Sequence, residues 1–281
     1  MLEHDTTTPD IETASEAYAQ RFSGPTGIFL LDVQAKTVRR LLEAVPAAAR
    51  VLEVGGGHAQ LTPILLELGF DVWVQGSSPV CSRRLRPLIA RPEYCGRLHF
   101  VASNLWALPF RDMSFDLVLG VRLLAHVERW QELLAEMARV CRHRLLLDYP
   151  PIIGANAFER WMFRFKRHIE GNTRPYFCYS FGELSRALCS LGFERLSLEK
   201  QFFVPIVVHR ALARQGLSRA LERGSRTLGL TRLFGGPVLL LAELPAAVAG
   251  LESRPAKTEA RAAARRLLIA PQPFCKPGAR P

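Results

Sequence analysis

The feature that most constrains the fold is the alternation of short apolar runs with helical patterns from about residue 50 onward. The apolar runs predict buried strands, and the segments between them repeat apolar residues every three or four positions. This alternation favours βαβ units, in which helices join parallel strands. We therefore expect an α/β fold with a doubly wound, mostly parallel sheet.

Seven segments fit this plan as strands. The seventh position has two competitors, 236–244 and 204–209, and the second contains Pro205, a poor strand residue there. We prefer 236–244, which leaves 209–233 as a basic helical excursion between the last two strands. The other six predicted strands are 49–54, 71–75, 97–103, 115–121, 143–150 and 194–203.

Helical patterns lie between these strands. We predict helices at 58–68, after the capping residue Ser78, at 130–142 and at 180–194. The last of these has Ser180 as its cap and Glu183 three residues later, the pattern of a capping box.

Three stretches lie outside the sheet. Residues 1–45 predict a cap of two helices, broken at 23–27, before a domain that spans 46–247. Residues 151–179 are an aromatic and basic insertion after the carboxyl end of a strand, where open α/β sheets bind ligands. The tail, 248–281, is rich in Ala, Arg, Pro and Lys, and we expect it to be mobile.

The first strand runs into the glycine turn VLEVGGGHAQ, residues 51–60. A dinucleotide-binding turn needs GxGxxG, but Gln60 stands at the third glycine position. A phosphate-binding P-loop needs Gly-Lys-Ser/Thr, which does not follow. The remaining pattern is an acidic residue, Glu53, before closely spaced glycines that let the backbone approach a bulky ligand.

This turn resembles motif I of the class I S-adenosylmethionine-dependent methyltransferases. The stretch ALPFRDMSFDLVLGVRLLAHV, residues 107–127, resembles a second motif of that family, and the resemblance covers about residues 40–245. It implies a Rossmann-like sheet of seven strands with the last strand antiparallel, and S-adenosyl-L-methionine as cofactor. Methyl transfer is an in-line displacement that needs positioning and proton removal, so we expect no covalent nucleophile and no metal.

The resemblance also assigns cofactor contacts. Glu53, which precedes the turn glycines in the sequence, falls where the family holds the methionine part of the cofactor. The family's ribose-binding acid falls on Gly76, so Gln75, Ser77 or a backbone carbonyl has to replace it. A lost hydrogen bond to a charged acceptor costs about 1.5–3 kcal/mol. The positions assigned to the cofactor are Glu53, Gly55, Gly56, Gly57, Gly76, Ser77, Asn104 (towards the adenine), Leu105, Val121, Tyr18 and Arg21.

Several of these positions have alternative interpretations. Tyr18 and Arg21 either close over the cofactor carboxylate or are structural. His126, beyond the fourth strand, is the candidate general base, because an imidazole titrates near pH 6.5. The alternative is a histidine at a helix start that only packs or hydrogen-bonds. Arg122 faces either the cofactor or the acceptor.

The aromatic residues of 151–179 form either ordinary core or an apolar acceptor pocket. A pocket of this kind suits a small or lipid-like acceptor that carries a hydroxyl. The sequence therefore predicts O-methylation, although it does not identify the acceptor.

The net charge of +11 lies almost entirely in the last third of the chain. Six arginines against Glu222 give +5 over 204–236, and seven basic residues against Glu252 and Glu259 give +5 over 250–281. Such charge attracts phosphates, so a nucleic-acid-binding protein or nucleic-acid methyltransferase is one alternative. Its arginines are not interleaved with stacking aromatics, and we do not expect nucleic acid as a partner. A second alternative is a relic that no longer binds the cofactor.

Peripheral membrane contact is compatible with methyl transfer, because arginines alternate with leucines over 206–241. The acidic N-terminus does not fit a secretory signal, and the apolar run from 238 is cut by Glu243 and Pro245, too short to span a bilayer. The six cysteines show no CxxC pair, which favours buried free thiols. We expect a cytoplasmic protein, with any membrane contact at the inner face.

Overall fold

The computed structural model describes residues 8–152, 176–212 and 214–245. Its centre is one seven-stranded sheet with the strand order β3-β2-β1-β4-β5-β7-β6. Strand β7 pairs antiparallel with both of its neighbours, and the other pairs are parallel. This confirms the predicted sheet. The strands are β1 Arg50–Val54, β2 Asp71–Gly76, β3 Leu98–Ala102, β4 Phe115–Gly120, β5 Cys141–Tyr149, β6 Arg195–Phe202 and β7 Gly236–Glu243.

Helices precede the sheet and cover both of its faces. Three lie before β1: α1 Pro9–Thr13, α2 Glu16–Gln20 and α3 Gly24–Leu41. The others are α4 Thr62–Glu67, α5 Arg86–Ile89, α6 Trp130–Val140, α7 Phe181–Ser190, α8 Ile206–Leu212, α9 Gln215–Thr227 and α10 Leu230–Phe234.

Two hydrophobic clusters lie on opposite faces of the sheet, because successive strand residues point to opposite sides. Leu52 and Val118 join the cluster that packs on α6 and α7. Val51 and Leu117 join the cluster that packs on α3 and α4. The strand order reverses between β1 and β4, which makes the crevice at their carboxyl ends the expected ligand site.

The helix predicted at 58–68 is shorter than expected. Residues Gly56–His58 form a 3₁₀ turn, and Ala59 adopts a left-handed φ of 55°, so α4 starts only at Thr62. After Ser78, whose hydroxyl accepts from the Val80 N–H, a 3₁₀ turn over Pro79–Ser82 replaces the expected longer helix.

The described part of the N-terminal cap, from residue 8 onward, has three helices instead of two, because Ser15 starts a new one by accepting from the Tyr18 N–H. The helix break predicted at 23–27 is wrong in its extent, because α3 begins at Gly24 and only Ser23 of that range lies outside a helix.

Other predictions are confirmed. The competing strand at 204–209 is largely helical (α8), and 236–244 provides β7. The Ser180 hydroxyl accepts from the Glu183 N–H at 3.1 Å, as the capping pattern predicted.

Parts of the sequence-based interpretation lie outside the described residues: most of the 151–179 insertion, and the tail from 246 onward. The described cysteines are free thiols. The prediction that they are buried is wrong for Cys95 and for Cys189, which lies on the outer side of α7. Within the described ranges, no helix is both long and apolar enough to cross a bilayer.

Candidate active site

The glycine turn packs too closely for side chains. Gly55 has φ 66°, a conformation that residues with a Cβ rarely adopt. A Cβ on Gly56 would lie 2.5 Å from the carboxyl carbon of Glu53. A Cβ on Gly57 would lie 2.8 Å from the Cys81 carbonyl oxygen and 2.9 Å from the Ala14 methyl. Glycine is therefore required here by the surrounding packing.

Glu53 lies at the end of β1, directly beneath this turn. Its side chain is buried, and its Oε2 accepts a hydrogen bond from the Thr62 hydroxyl at 2.7 Å. Burial raises the pKa of Glu53 to about 8, although the Thr62 hydrogen bond opposes that shift. The second oxygen, Oε1, has no hydrogen-bond partner. A buried polar atom without a partner is a candidate ligand contact.

His58 is the neighbour of this free oxygen. Its Nδ1 accepts from the Gln60 N–H, so the proton is assigned to Nε2, which lies 3.8 Å from Glu53 Oε1. Burial, followed by the positive charge of Arg122, lowers the pKa of His58 to about 3, so the imidazole is neutral. A longer contact with the Val121 backbone opposes that fall in the pKa of His58. Glu53 Oε1 is therefore the unsatisfied polar atom at the floor of the turn.

Gly76, where the resemblance places the ribose-binding acid, has no room for a side chain. A Cβ there would lie 2.5 Å from the Cys81 Cβ. The next residue, Ser77, contacts a carboxylate from elsewhere in the chain. Asp10 of α1 accepts from the Ser77 N–H at 2.6 Å and from its hydroxyl at 2.5 Å. Helix α1 thus delivers a carboxylate to the end of β2, 67 residues away in sequence.

Helix α1 lies directly on the glycine turn. The Asp10 Cβ is 3.4 Å from the position of a Cβ on Gly55, and Ala14 faces Gly57. Asp10 is fully buried by this arrangement. A ligand on the turn therefore has to contact or displace α1.

Gln75 is not a free substitute for the missing acid. Its Oε1 accepts from the Gly55 N–H at 3.3 Å, and its Nε2 donates to the Ser103 carbonyl at 2.8 Å. Both polar groups are used to hold the ends of β1, β2 and β3 together.

A second polar cluster lies where β4 and β5 end. Arg122 has a left-handed φ of 61°, and its N–H donates to Asp148 Oδ1 at 2.6 Å. Its guanidinium donates to Gln34 Oε1 at 2.9 Å and lies 3.9 Å from the centre of the Phe22 ring. Burial raises the pKa of Asp148 to about 6 against the opposing hydrogen bond from Arg122. Arg122 thus joins the N-terminal cap to the sheet.

His126 ends a 3₁₀ turn, Leu124–His126, just after β4. Its ring centre lies 5.7 Å from that of Tyr176. The Tyr179 hydroxyl contacts the Leu124 and Val127 carbonyls and fixes this turn. The candidate base therefore lies next to the C-terminal end of the 151–179 segment.

The structure does not gather all the remaining predicted positions at the glycine turn. Asn104 is exposed, and its Oδ1 accepts from the Trp106 N–H, while Leu105 and Val121 are buried. Tyr18 is buried, and the Arg21 guanidinium lies over its ring and pairs with Glu12 at 3.7 Å. Arg21 also lines a surface cavity of about 300 Å³ with Gln20 and Arg210.

Three residues were missed by the sequence interpretation: Asp10, Gln34 and Asp148. Asp148 carried a signal, because an acidic residue at the end of a parallel strand lies at the ligand edge of the sheet. Asp10 and Gln34 gave none, since only the folded cap brings them to the site. Among the described residues, no group of three or more ligating side chains is placed to hold a metal ion.

The arrangement suits a positively charged ligand. Asp10 and Glu53 place two carboxyl groups around the glycine turn, and Asp148 places a third at the end of β5. A cation beside Glu53 would favour its ionised form and lower its pKa.

Comparison with known proteins agrees with this geometry. A family model described as a methyltransferase domain matches residues 52–144. That range begins in β1 and ends in β5, and it includes the glycine turn. No curated protein matches the sequence.

Solved structures share the fold at low sequence identity. Magnesium protoporphyrin IX methyltransferase from Synechocystis PCC 6803, with bound SAH, has a TM-score of 0.53 at 14% identity, covering 79% of this chain and 86% of that one. Geranyl diphosphate C-methyltransferase from Streptomyces coelicolor A3(2) has a TM-score of 0.53 at 16% identity, covering 76% of both chains. The [4+2]-cyclase SpnF has a TM-score of 0.51 at 16% identity, covering 75% and 81%.

Proposed function

We propose that the protein transfers a methyl group from S-adenosyl-L-methionine to a small or lipid-linked acceptor, at an oxygen atom. The match of residues 52–144 to a methyltransferase domain supports this proposal. The observation that carries the proposal is the unsatisfied Oε1 of Glu53 beneath a side-chain-free glycine turn. When bound, the cofactor supplies an electrophilic methyl group on a sulfonium. Glu53 would hold the cationic amino group of its methionine part, in its ionised form.

Asp10 would hold the ribose in place of the acid that Gly76 lacks. Ribose hydroxyls are donors and need acceptors, and a carboxylate offers about four lone-pair sites. Ser77 occupies part of that capacity through its N–H and its hydroxyl. A small movement of α1 would expose the rest to the crevice. In this arrangement, α1 belongs to the cofactor site.

Burial of Asp10 also supports the alternative of a relic that does not bind the cofactor. Helix α1 covers the glycine turn, and Asp10, Glu53 and His58 are almost wholly inaccessible. If α1 never moves, no ligand reaches the turn. A direct measurement of ligand binding distinguishes a cofactor-binding protein from a relic.

The experiment is a thermal melt with S-adenosylhomocysteine, the demethylated product, beside NAD and ADP as controls. At a concentration a hundredfold above Kd, the ligand stabilises the folded state by about 2.7 kcal/mol. For a domain of this size we expect the melting temperature to rise by about 5–10 °C. A rise with NAD and none with S-adenosylhomocysteine would contradict the proposed cofactor. No shift with any nucleotide would support the relic.

The acceptor site would lie beside His126 and Tyr176. The imidazole would remove the proton of a hydroxyl acceptor as the methyl group arrives, which general-base catalysis requires at near-neutral pH. The two methyltransferases compared above are named for a porphyrin and for geranyl diphosphate, both with large apolar parts. A lipid-like acceptor is consistent with those examples.

Cofactor with a deuterated methyl group, incubated with the protein and a lipid extract, tests the acceptor. We expect a labelled product whose fragments place the methyl group on oxygen, and a His126→Ala variant that forms it at least about a hundredfold more slowly. Label on carbon would contradict O-methylation but leave methyl transfer intact. An unaffected His126→Ala variant would remove His126 as the base.

A further inference from the structure

The excursion between β6 and β7 buries polar residues and exposes leucines, which is the reverse of an ordinary surface helix. In α9 the buried stripe consists of Ser218, Glu222 and Ser225. On another side of the same helix, Leu217 and Leu221 are 44% and 39% exposed, and Leu228 at its end is 75% exposed. A hydrophobic stripe left uncovered on a packed helix indicates a partner.

The buried stripe explains why α9 cannot turn its leucines inward. Glu222 accepts from the N–H groups of Phe203 and Val204, at 3.0 Å and 2.9 Å, and its Oε1 lies 3.0 Å from the buried Nε2 of His209. These contacts satisfy the backbone where β6 leads into α8. Rotating α9 to bury the leucines would leave those groups without partners, at a penalty for each.

The exposed leucines lie on one side of α9, because residues four and eleven positions apart recur on the same face of a helix with 3.6 residues per turn. Two further apolar side chains are exposed on α10, which packs against α9: Leu233 is 63% and Phe234 is 42% exposed. We define the leucine face as Leu217, Leu221, Leu228, Leu233 and Phe234.

Arginines flank the leucine face at its two ends, where Arg214 precedes α9 and Arg232 lies on α10. Arg219 and Arg223 are also exposed, but with 3.6 residues per turn they project from the side of α9 opposite Leu217 and Leu221. Among the described residues, none of these four forms an ion pair with a carboxylate within 4 Å. The excursion therefore presents exposed apolar side chains together with uncompensated positive charge.

From this combination we propose that α9 and α10 dock on an anionic lipid surface, with the leucine face in the boundary region and the arginines on lipid phosphates. Amphipathic segments that combine apolar and basic residues bind bilayers in this way. The proposal goes beyond methyl transfer and does not depend on it.

Charge argues against the other occupants. A second copy of the chain would bring a like-charged arginine set against this one. The segment 250–281 has seven basic residues against two acidic ones, so it also repels the excursion. Nucleic acid would use the arginines, but it would leave the leucine face uncovered. An anionic membrane complements both the charge and the apolar side chains.

The proposed surface adjoins the N-terminal cap. The Thr26 hydroxyl donates to the His209 carbonyl at 3.1 Å, and Gln215 donates to the Pro25 carbonyl at 2.8 Å. Arg210 donates to the Arg21 carbonyl. A lipid surface bound by α9 would therefore lie next to the cap of the proposed active site.

The test is co-sedimentation of the full chain with vesicles of phosphatidylcholine, with or without phosphatidylglycerol. We expect binding only to the anionic vesicles. A variant with Leu217→Ser, Leu221→Ser and Leu228→Ser should bind at least about tenfold more weakly while it remains folded at the assay temperature, since these side chains are partly exposed. The matched control is Val80→Ser with Ile89→Ser, two similarly exposed apolar residues elsewhere on the surface.

Charge is tested separately. Replacing Arg214 and Arg232 by glutamine should weaken binding to anionic vesicles about fivefold per arginine, whereas the same change at Arg219 and Arg223, on the opposite side of α9, should have a smaller effect. The control pair, Arg83→Gln with Arg86→Gln, lies outside the excursion and should have a smaller effect.

Three outcomes would overturn the proposal. One is wild-type protein that stays in solution with anionic vesicles, which would mean that something else covers the leucine face. Another is equal binding by the triple-serine variant. The third is binding to duplex DNA that competes with vesicles and does not require the leucines.

Discussion

At the residue scale, the proposed cofactor site takes its ribose-binding carboxylate from a residue that is distant in sequence. Cys81 fills the space that a side chain at Gly76 would need, so an acid at that position does not fit. Asp10 brings a carboxylate to the adjacent Ser77. The chain therefore lacks the family's acid at its usual position while keeping a carboxylate at that end of the sheet.

We predict that Asp10→Asn weakens S-adenosylhomocysteine binding by about tenfold to a hundredfold, because a charged acceptor for hydroxyls is lost. Asparagine can keep hydrogen bonds to Ser77, so the fold should persist. The specific readout is calorimetric comparison with the 2′-deoxy analogue. Wild type should prefer the ligand with the hydroxyl, and Asp10→Asn should not.

The control for that experiment is Glu12→Gln, a partly buried carboxylate of the same helix that pairs with Arg21. If Asp10→Asn weakens both ligands equally, Asp10 has only a structural role. Tighter binding by Asp10→Asn would show that α1 competes with the ligand.

Glu53 predicts a pH dependence of stability. Its pKa of about 8 in the folded protein exceeds the ordinary value of 4.5, so the folded state holds a proton that the unfolded state has lost. The free energy of unfolding should therefore fall as pH rises between those values. From pH 7 to 8.5, above the pKa of about 6 for Asp148 and above the ordinary value of 6.5 at which His58 titrates in the unfolded chain, we expect a loss of about 1 kcal/mol.

Urea unfolding without ligand measures this loss. Glu53→Gln keeps an acceptor for Thr62 and removes the titration, so its stability should be flat across the same window. An equal slope in both proteins would rule out Glu53 as its source. Ligand affinity should increase with pH in wild type, since the proposed cofactor favours the ionised carboxylate.

At the scale of elements, the excursion is held to the sheet by its polar stripe. We predict that Glu222→Ala destabilises the protein by about 3 kcal/mol, since it leaves two N–H groups and the buried His209 without their acceptor. Arg223→Ala, one position further along α9, should change stability by no more than about 0.5 kcal/mol. Chemical denaturation of the two variants distinguishes them, and equal values would contradict the anchoring role.

At the scale of the whole molecule, the cap and the sheet should respond to the cofactor together. Helix α1 lies on the glycine turn, and Arg122 links β4 to Gln34 and Phe22 of the cap. We predict that S-adenosylhomocysteine slows amide hydrogen exchange over residues 9–20, while residues 215–234 stay unchanged. Faster exchange in 9–20 would instead mean that the ligand displaces the cap.

The sequence alone determined the α/β class, the seven strands, the helical excursion and the glycine turn. These features follow from local periodicity and from short spacings along the chain. One example is the choice of 236–244 over 204–209 as the seventh strand. Only the tertiary structure decided that Asp10 reaches Ser77, that Cys81 fills the space at Gly76, and that α9 turns Glu222 inward and Leu221 outward. The physical reason is that a residue's partner across the fold, such as the backbone that needs Glu222 as an acceptor, is not encoded in the spacing around that residue.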